Sequence, residues 1–251
     1  MSPKKAIVRE PGDKYTECIS SHPHRHTINL ARARQQHAEY RRTLSELGLE
    51  VLELPKDDLH PDSCFVEDNA VVHAGKALIC RMARDSRRGE ELDVDRLLRV
   101  SVNVKKAVPP ATVEGGDVIH MGSVLVSGLT QRTNREGVEQ MKSWLEVDVR
   151  TIEDRAIVHL KSYVNSLGDR FILSTQKYAK HPTLEGREVV VVRDSDWYST
   201  NNIVIGTSVV MPAGFPETER IVKDLGFDVI PLAMTEFPKC EGALTCLSIL
   251  L

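Results

Sequence analysis

The chain has 251 residues, with 33 Lys and Arg against 36 Asp and Glu, a formal net charge of -3 and 41% hydrophobic residues. That is enough apolar material for a substantial core in one large or two small domains, and the near-neutral charge excludes the global cationic field of a dedicated nucleic-acid binder. The longest apolar runs, Val189 to Val192 and Ile249 to Leu251, fall far short of the roughly 20 residues of a membrane span. Only Ala6-Ile7-Val8 precedes Arg9-Glu10, too little apolar sequence for a secretory signal, so a cytoplasmic protein is expected.

In chain order, Ala6-Ile7-Val8 predicts a strand. The spacing of Ala31 to Leu47 predicts a helix, stopped by Gly48 as a left-handed cap and followed by a strand over Leu49 to Leu54. Next come a hairpin (Asn69 to Arg81, turning at Gly75), a helix (Ser86 to Val100) and a strand (Val102 to Val104). The same order recurs as hairpin Asp117 to Ser127 at Gly122, helix Thr133 to Leu145 and strand Val147 to Ile152. A third unit has hairpin Ser162 to Ser174 at Gly168, a shorter helical stretch over Thr175 to Leu184 and strand Val189 to Val192. The fourth has hairpin Asn201 to Met211 at Gly206, helix Glu217 to Leu225 and strand Phe227 to Leu232. The turn glycines recur at intervals of 47, 46 and 38 residues. A fifth unit is split across the termini, with its hairpin made by Ala6 to Val8 and the final strand Leu247 to Leu251. Repeats that cannot bury their apolar faces alone must stack, so a closed five-bladed α/β propeller is predicted, with residues 1–251 forming one catalytic domain.

The polar residues concentrate just before each hairpin. Asp68, Glu114, His159, Asn201 and Cys246 recur at 46, 45, 42 and 45 residues. In a ring they converge on the axis, two acids, an imidazole and a thiol together. Cysteine attacks as the thiolate, of which only about 3% is present at pH 7 for an ordinary thiol. His159 is the natural acid and base. Two carboxylates beside a thiol are poor activators but a good seat for a planar guanidinium, whose charge then favours the thiolate. The cysteines at 18, 64, 80, 240 and 246 are odd in number and scattered, so neither a disulfide framework nor a structural zinc site is expected. The alternating His22-Pro23-His24-Arg25-His26 invites a metal, but no acid or cysteine within the run completes a site, and a polar loop is the expectation.

Five ordered motifs carry a resemblance: Phe65-Val66-Glu67-Asp68, Val113 to Val118, Gly128 to Asn134, His159 to Ser162 and Leu244 to Ser248. They resemble, over nearly the whole chain, the dimethylarginine dimethylaminohydrolases of the guanidino-group-modifying pentein superfamily. The resemblance implies the pentein α/β propeller and hydrolysis of Nω-methylated arginine to citrulline through a covalent thiouronium on Cys246. His159 would protonate the departing amine and then activate water. Asp68 and Glu114 would hold the guanidinium, Glu114 counting among the catalytic set, with Phe65 and Glu67 in the substrate-binding motif. Arg81 and Arg132 would grip the substrate carboxylate, and Asp62 and the Cys240 carbonyl its amino group. No metal or organic cofactor is implied, and the partner is a small guanidino amino acid, handled by a monomer or homodimer. Arginine deiminases usually carry a helical insertion for which 251 residues leave no room, and agmatine lacks the carboxylate that two arginines would grip. Arginine dihydrolases carry Asn at the place of Asp68. A non-catalytic, ribosome-binding pentein would be expected to lose the acid, histidine and cysteine set, which this chain keeps.

Overall fold

The structure is a computed structural model and describes residues 3–251. Its aliphatic runs pair as the turn glycines dictate. After β1 (Lys5–Val8), helix α1 (Leu30–Glu46) is capped at its start by the Asn29 side chain, which accepts from the Arg32 amide. Gly48 then adopts φ +88°, the left-handed turn that frees the chain for β2 (Glu50–Glu53).

The next unit is β3 (Ala70–His73), β4 (Lys76–Ile79), α2 (Leu92–Leu98) and β5 (Asn103–Lys106). β3 and β4 form an antiparallel hairpin with Ala70 opposite Ile79, and β5 joins β4 in parallel with Asn103 opposite Lys76. The pattern repeats in β6 (Val118–Met121), β7 (Val124–Leu129), α3 (Arg135–Leu145) and β8 (Asp148–Glu153). It repeats again in β9 (Val164–Leu167), β10 (Phe171–Thr175) and β11 (Glu188–Val192), and in β12 (Ile203–Ile205), β13 (Ser208–Pro212), α4 (Pro216–Asp224) and β14 (Asp228–Leu232). The last strand, β15 (Ser248–Leu250), pairs antiparallel with β1, Ala6 opposite Leu250, and β2 pairs parallel with β1 on the other side. Five three-stranded sheets result, the fifth closed by the two ends of the chain.

The core shows that these sheets form a ring. Five apolar clusters each fill one interface between neighbouring sheets. Ile7, Leu54 and Ile249 meet Ala77 and Ile79; Val71 and Leu78 meet Val118 and Leu125; Ile119 and Val126 meet Val164 and Ile172. Leu167 and Leu173 meet Val209 and Met211, and Ile203 and Val210 meet Ala6, Val8 and Leu247. Each sheet thus buries residues in two clusters, and each buried aliphatic side chain contributes on the order of 1.5–3 kcal/mol. Among the described residues, no helix is long and apolar enough to cross a membrane.

Two expected helices are shorter than their sequence pattern. Over 86–100 the chain makes one 3-10 turn at Asp85–Arg87 and turns helical only at Leu92, because Gly89 takes φ +117°, outside any helix. Over 175–184 the chain makes plain turns at 176–180, and its one helical piece is the 3-10 turn Pro182–Leu184; the residue before Pro182 is extended, as its ring requires.

Candidate active site

Each sheet's inner strand is preceded by a tight turn, and these turns bring the five repeat positions together. Asp68 lies in the turn Val66–Asn69, Glu114 and His159 stand at the heads of Gly115–Asp117 and Leu160–Ser162, and Cys246 lies within Thr245–Leu247. All four are buried. The 115–117 turn packs against both the 66–69 and the 160–162 turns, and the 245–247 turn packs against 66–69.

Close approach here depends on glycine. The Gly116 amide donates to Asp68 Oδ1 at 3.0 Å. A Cβ on Gly116 would lie 2.8 Å from that oxygen and from His159 Cγ, so no larger residue fits without moving the site.

His159 Nε2 lies 2.8 Å from Glu114 Oε2 and 3.7 Å from Asp68 Oδ1. Burial works against the imidazolium, but Asp68, Glu114 and Asp117 outweigh it and push the His159 pKa up to about 9. Burial alone would raise the pKa values of Asp68 and Glu114; His159 and Arg87 beside them hold both below the ordinary carboxylate range. The Cys246 thiol is pushed well up, by burial first and then by Glu67 and Asp68, with the Ala243 amide, 3.4 Å from Sγ, and the Lys161 charge acting the other way. The site therefore holds a neutral thiol and a charged imidazole at neutral pH. Asp117, buried beneath, takes the Leu160 amide at 2.9 Å and the Thr130 hydroxyl at 2.8 Å, and burial raises its pKa to about 6.

The other expected residues divide. Glu67 accepts from Lys161 Nζ (2.6 Å) and Thr245 Oγ1 (2.7 Å), and Thr245 is bonded in turn to Asn201, so this carboxylate ties four axial segments together. Phe65 packs edge-on to Tyr15 and touches Gly242, where a Cβ would come within 2.3 Å of its ring. Asp62 is buried and accepts the Ile19 amide at 3.1 Å. Arg132 is buried with Nε and Nη1 unbonded. Arg81 is half-buried and donates to the Ala111 carbonyl at 3.1 Å.

Two features depart from the sequence reading. Cys18 and Cys240 form a disulfide across 222 residues of sequence, where none was expected. An odd cysteine count is compatible with one bridge and three free thiols, and the partners become neighbours only because residues 15–29 are laid along the 236–241 turn. Ser20 Oγ donates there to the Lys239 carbonyl and Lys239 Nζ to the Thr27 carbonyl. The second is Arg87, six residues beyond Arg81, which the sequence reading placed in the helix Ser86 to Val100 and gave no role. It is buried among Asp68 (2.9 Å), Glu90 (2.8 Å) and Glu114 (3.6 Å). The only hint in the sequence is Gly89 inside a helical pattern.

Asp68, Glu114 and His159 have ligand atoms within 4.8 Å of one another, close enough to share a cation, and Arg87 already supplies one. In the histidine run, His22 Nδ1 accepts the His24 amide at 3.1 Å. A cavity of about 1070 Å³ is lined by residues of the inner strands of all five sheets and by Glu67, Gly115, Lys161 and Thr245; Asp68, Glu114, His159 and Cys246 are not among its walls.

Five hairpin-centred sheets closed into a ring, with the polar residues gathered at the axis, make this a pentein α/β propeller. The family model described as N,N dimethylarginine dimethylhydrolase, eukaryotic, matches residues 3–196, and the chain belongs to that family. The N(G),N(G)-dimethylarginine dimethylaminohydrolase of Streptomyces coelicolor is 33% identical, over 99% of this chain and 97% of its own. The Pseudomonas aeruginosa enzyme, solved as a cysteine-to-serine mutant complexed with citrulline, superposes with a TM-score of 0.95 at 29% identity, over the whole of both chains. A dimethylarginine dimethylaminohydrolase histidine-to-glycine variant, solved as an adduct with S-methyl-L-thiocitrulline, superposes with a TM-score of 0.94 at 29% identity, over 99% of this chain and all of that one.

Proposed function

We propose that this chain hydrolyses Nω-methylated arginine to citrulline and a methylamine, with Cys246 as nucleophile and His159 as acid and base. The observation that carries the reading is the charge pattern at the thiol. Burial, and then Glu67 and Asp68 beside it, keep Cys246 protonated, while His159 is already an imidazolium. Such a site waits for a planar cation.

The substrate guanidinium would seat on Asp68, with Glu114 behind it, and its charge would let the Cys246 proton leave to solvent. The thiolate then attacks the guanidinium carbon. As the C–N bond to the methylated nitrogen breaks, His159 gives that nitrogen its proton and a thiouronium remains on sulfur. The neutral imidazole next takes a proton from water, the resulting hydroxide attacks the same carbon, and the C–S bond breaks to free the thiolate while the added hydroxyl gives its proton to solvent, leaving citrulline. Glu114, bonded to Nε2, would orient and stabilise the imidazolium.

The unbonded donors of Arg132 suit the substrate carboxylate. Arg81 is a weaker candidate because its Nη1 is committed to a backbone carbonyl. Asp62 and the Cys240 carbonyl would take the amino group, and Phe65 and Glu67 would shape the pocket. The same reading makes residues 1–251 one catalytic unit, monomeric or homodimeric.

The test is a side-by-side assay of asymmetric dimethylarginine, monomethylarginine, arginine and agmatine for ureido product. Methylated arginines should be the preferred substrates. Faster turnover of plain arginine would make this an arginine deiminase, and no turnover of any would leave a non-catalytic pentein.

A further inference from the structure

Asp117 is fully buried and is held from both sides. Its Oδ1 accepts the amide of Leu160, the peptide that follows His159, at 2.9 Å, and its Oδ2 accepts the Thr130 hydroxyl at 2.8 Å. The oxygen of that hydroxyl accepts in turn from the Arg132 amide at 3.1 Å and from the Thr133 amide at 3.4 Å. Thr133 Oγ1 takes the Glu114 amide at 3.2 Å, and the Thr130 amide closes the turn on the Thr133 carbonyl at 3.1 Å. A Cβ on Gly128 would come within 2.6 Å of Asp117 Oδ1, 2.7 Å of Thr130 Cγ2 and 3.0 Å of Leu160 Cβ, so these three groups already fill the space over Gly128.

The bonds run in one direction. Burial raises the Asp117 pKa only to about 6, so at neutral pH its side chain is a carboxylate, which can only accept. The Thr130 proton therefore points to Asp117, and the lone pairs of the hydroxyl are left for the Arg132 and Thr133 amides. Bonds to an ionised acceptor are about twice as strong as neutral ones. The turn that presents Arg132 is thus fixed relative to the peptide that carries His159. That spacing matters because the two residues work on opposite ends of one molecule. Arg132 has unbonded donors for the substrate carboxylate, whereas His159 serves the guanidinium.

We propose that Asp117 is a positioning residue that, through the Thr130 hydroxyl, fixes the reach between Arg132 and His159 and so selects substrates by the number of methylenes between carboxylate and guanidinium. This rests on the reading above that Arg132 grips the substrate carboxylate.

The experiment compares kcat/KM for asymmetric dimethylarginine and for its homologues one methylene shorter and one longer, each dimethylated in the same way. The wild type should prefer the arginine length by at least about a hundredfold, and a wild type without that preference overturns the proposal. Asp117→Asn keeps the shape, but whichever way its amide faces, either the Leu160 amide or the Thr130 hydroxyl meets an NH2 group. It should lower kcat/KM for dimethylarginine about a hundredfold and narrow the length preference about tenfold. Thr130→Val keeps the volume and deletes the hydroxyl, and should narrow the preference in the same way. Thr130→Ser, which keeps the hydroxyl, should restore most of it. A purely structural role predicts an equal loss for all the substrates, or Val tolerated better than Ser, and either result overturns the proposal. If Asp117→Asn does not fold, the two Thr130 variants decide alone. Arg132→Met separates the two readings. If it narrows the preference while the Asp117 and Thr130 variants do not, only the positioning role falls. If it leaves both the preference and KM for dimethylarginine unchanged, Arg132 is not the carboxylate grip.

Discussion

His159 Nε2 and Glu114 Oε2 are 2.8 Å apart in a buried pair, and the charge of Asp68 together with this contact holds a proton on the imidazole before any substrate arrives. With its pKa raised to about 9, His159 binds a proton in the folded chain that it would release in the unfolded chain above about 6.5. The stability it contributes is complete below pH 6.5 and is lost as pH rises through 9. Glu114→Gln should lower the His159 pKa and flatten that part of the stability curve. Ring-resonance titration by NMR, with thermal unfolding between pH 6 and 10, checks both; an unchanged His159 pKa would show that Glu114 is not what holds the proton.

Cys246→Ser should lower kcat by at least about a thousandfold with the fold intact. In the wild type, alkylation by neutral iodoacetamide should be slow and should accelerate only as pH rises. A small amidinium that fills the seat without covering sulfur should accelerate it at fixed pH, and Asp68→Asn should blunt that effect. Thiolate absorbance titrating below the ordinary cysteine value in ligand-free protein would rule out activation by the substrate.

His159→Gly should still form covalent adduct on Cys246 but release it slowly, because one group serves both half-reactions. Mass spectrometry of the quenched variant should show accumulated intermediate. Normal turnover without adduct would remove His159 from the mechanism.

Gly116→Ala should keep the fold and lower kcat/KM by about a hundredfold, since its Cβ must displace either Asp68 or His159. Circular dichroism beside steady-state kinetics distinguishes this from unfolding.

Reduction of the Cys18–Cys240 bridge, or Cys18→Ser, should lower stability by about 2–5 kcal/mol. Most activity should remain, because neither sulfur takes part in the reaction as proposed. Limited proteolysis should cut the 15–29 loop faster once the bridge is broken, and cleavage at an unchanged rate would show that its hydrogen bonds to residues 236–241 suffice.

The five-unit architecture was legible in the sequence because its signals are local. Aliphatic runs flanking Gly75, Gly122, Gly168 and Gly206 specify hairpins, and Gly48 stops α1. Periodicity then put Asp68, Glu114, His159 and Cys246 in equivalent places, so their meeting was readable before any coordinates. What escaped was pairing that no period encodes. The start of the predicted helix at Ser86 marks neither Arg87 nor Glu90, and only the left-handed break at Gly89, with the acids waiting across the axis, turns them inward. Arg9 and Glu90 are 81 residues apart and Cys18 and Cys240 are 222 apart. Local sequence determines which backbone shapes are cheap, whereas the partner of a buried charge or a thiol is chosen by whatever the closed ring brings within bonding distance, because a buried polar group is stable only when its neighbours satisfy it.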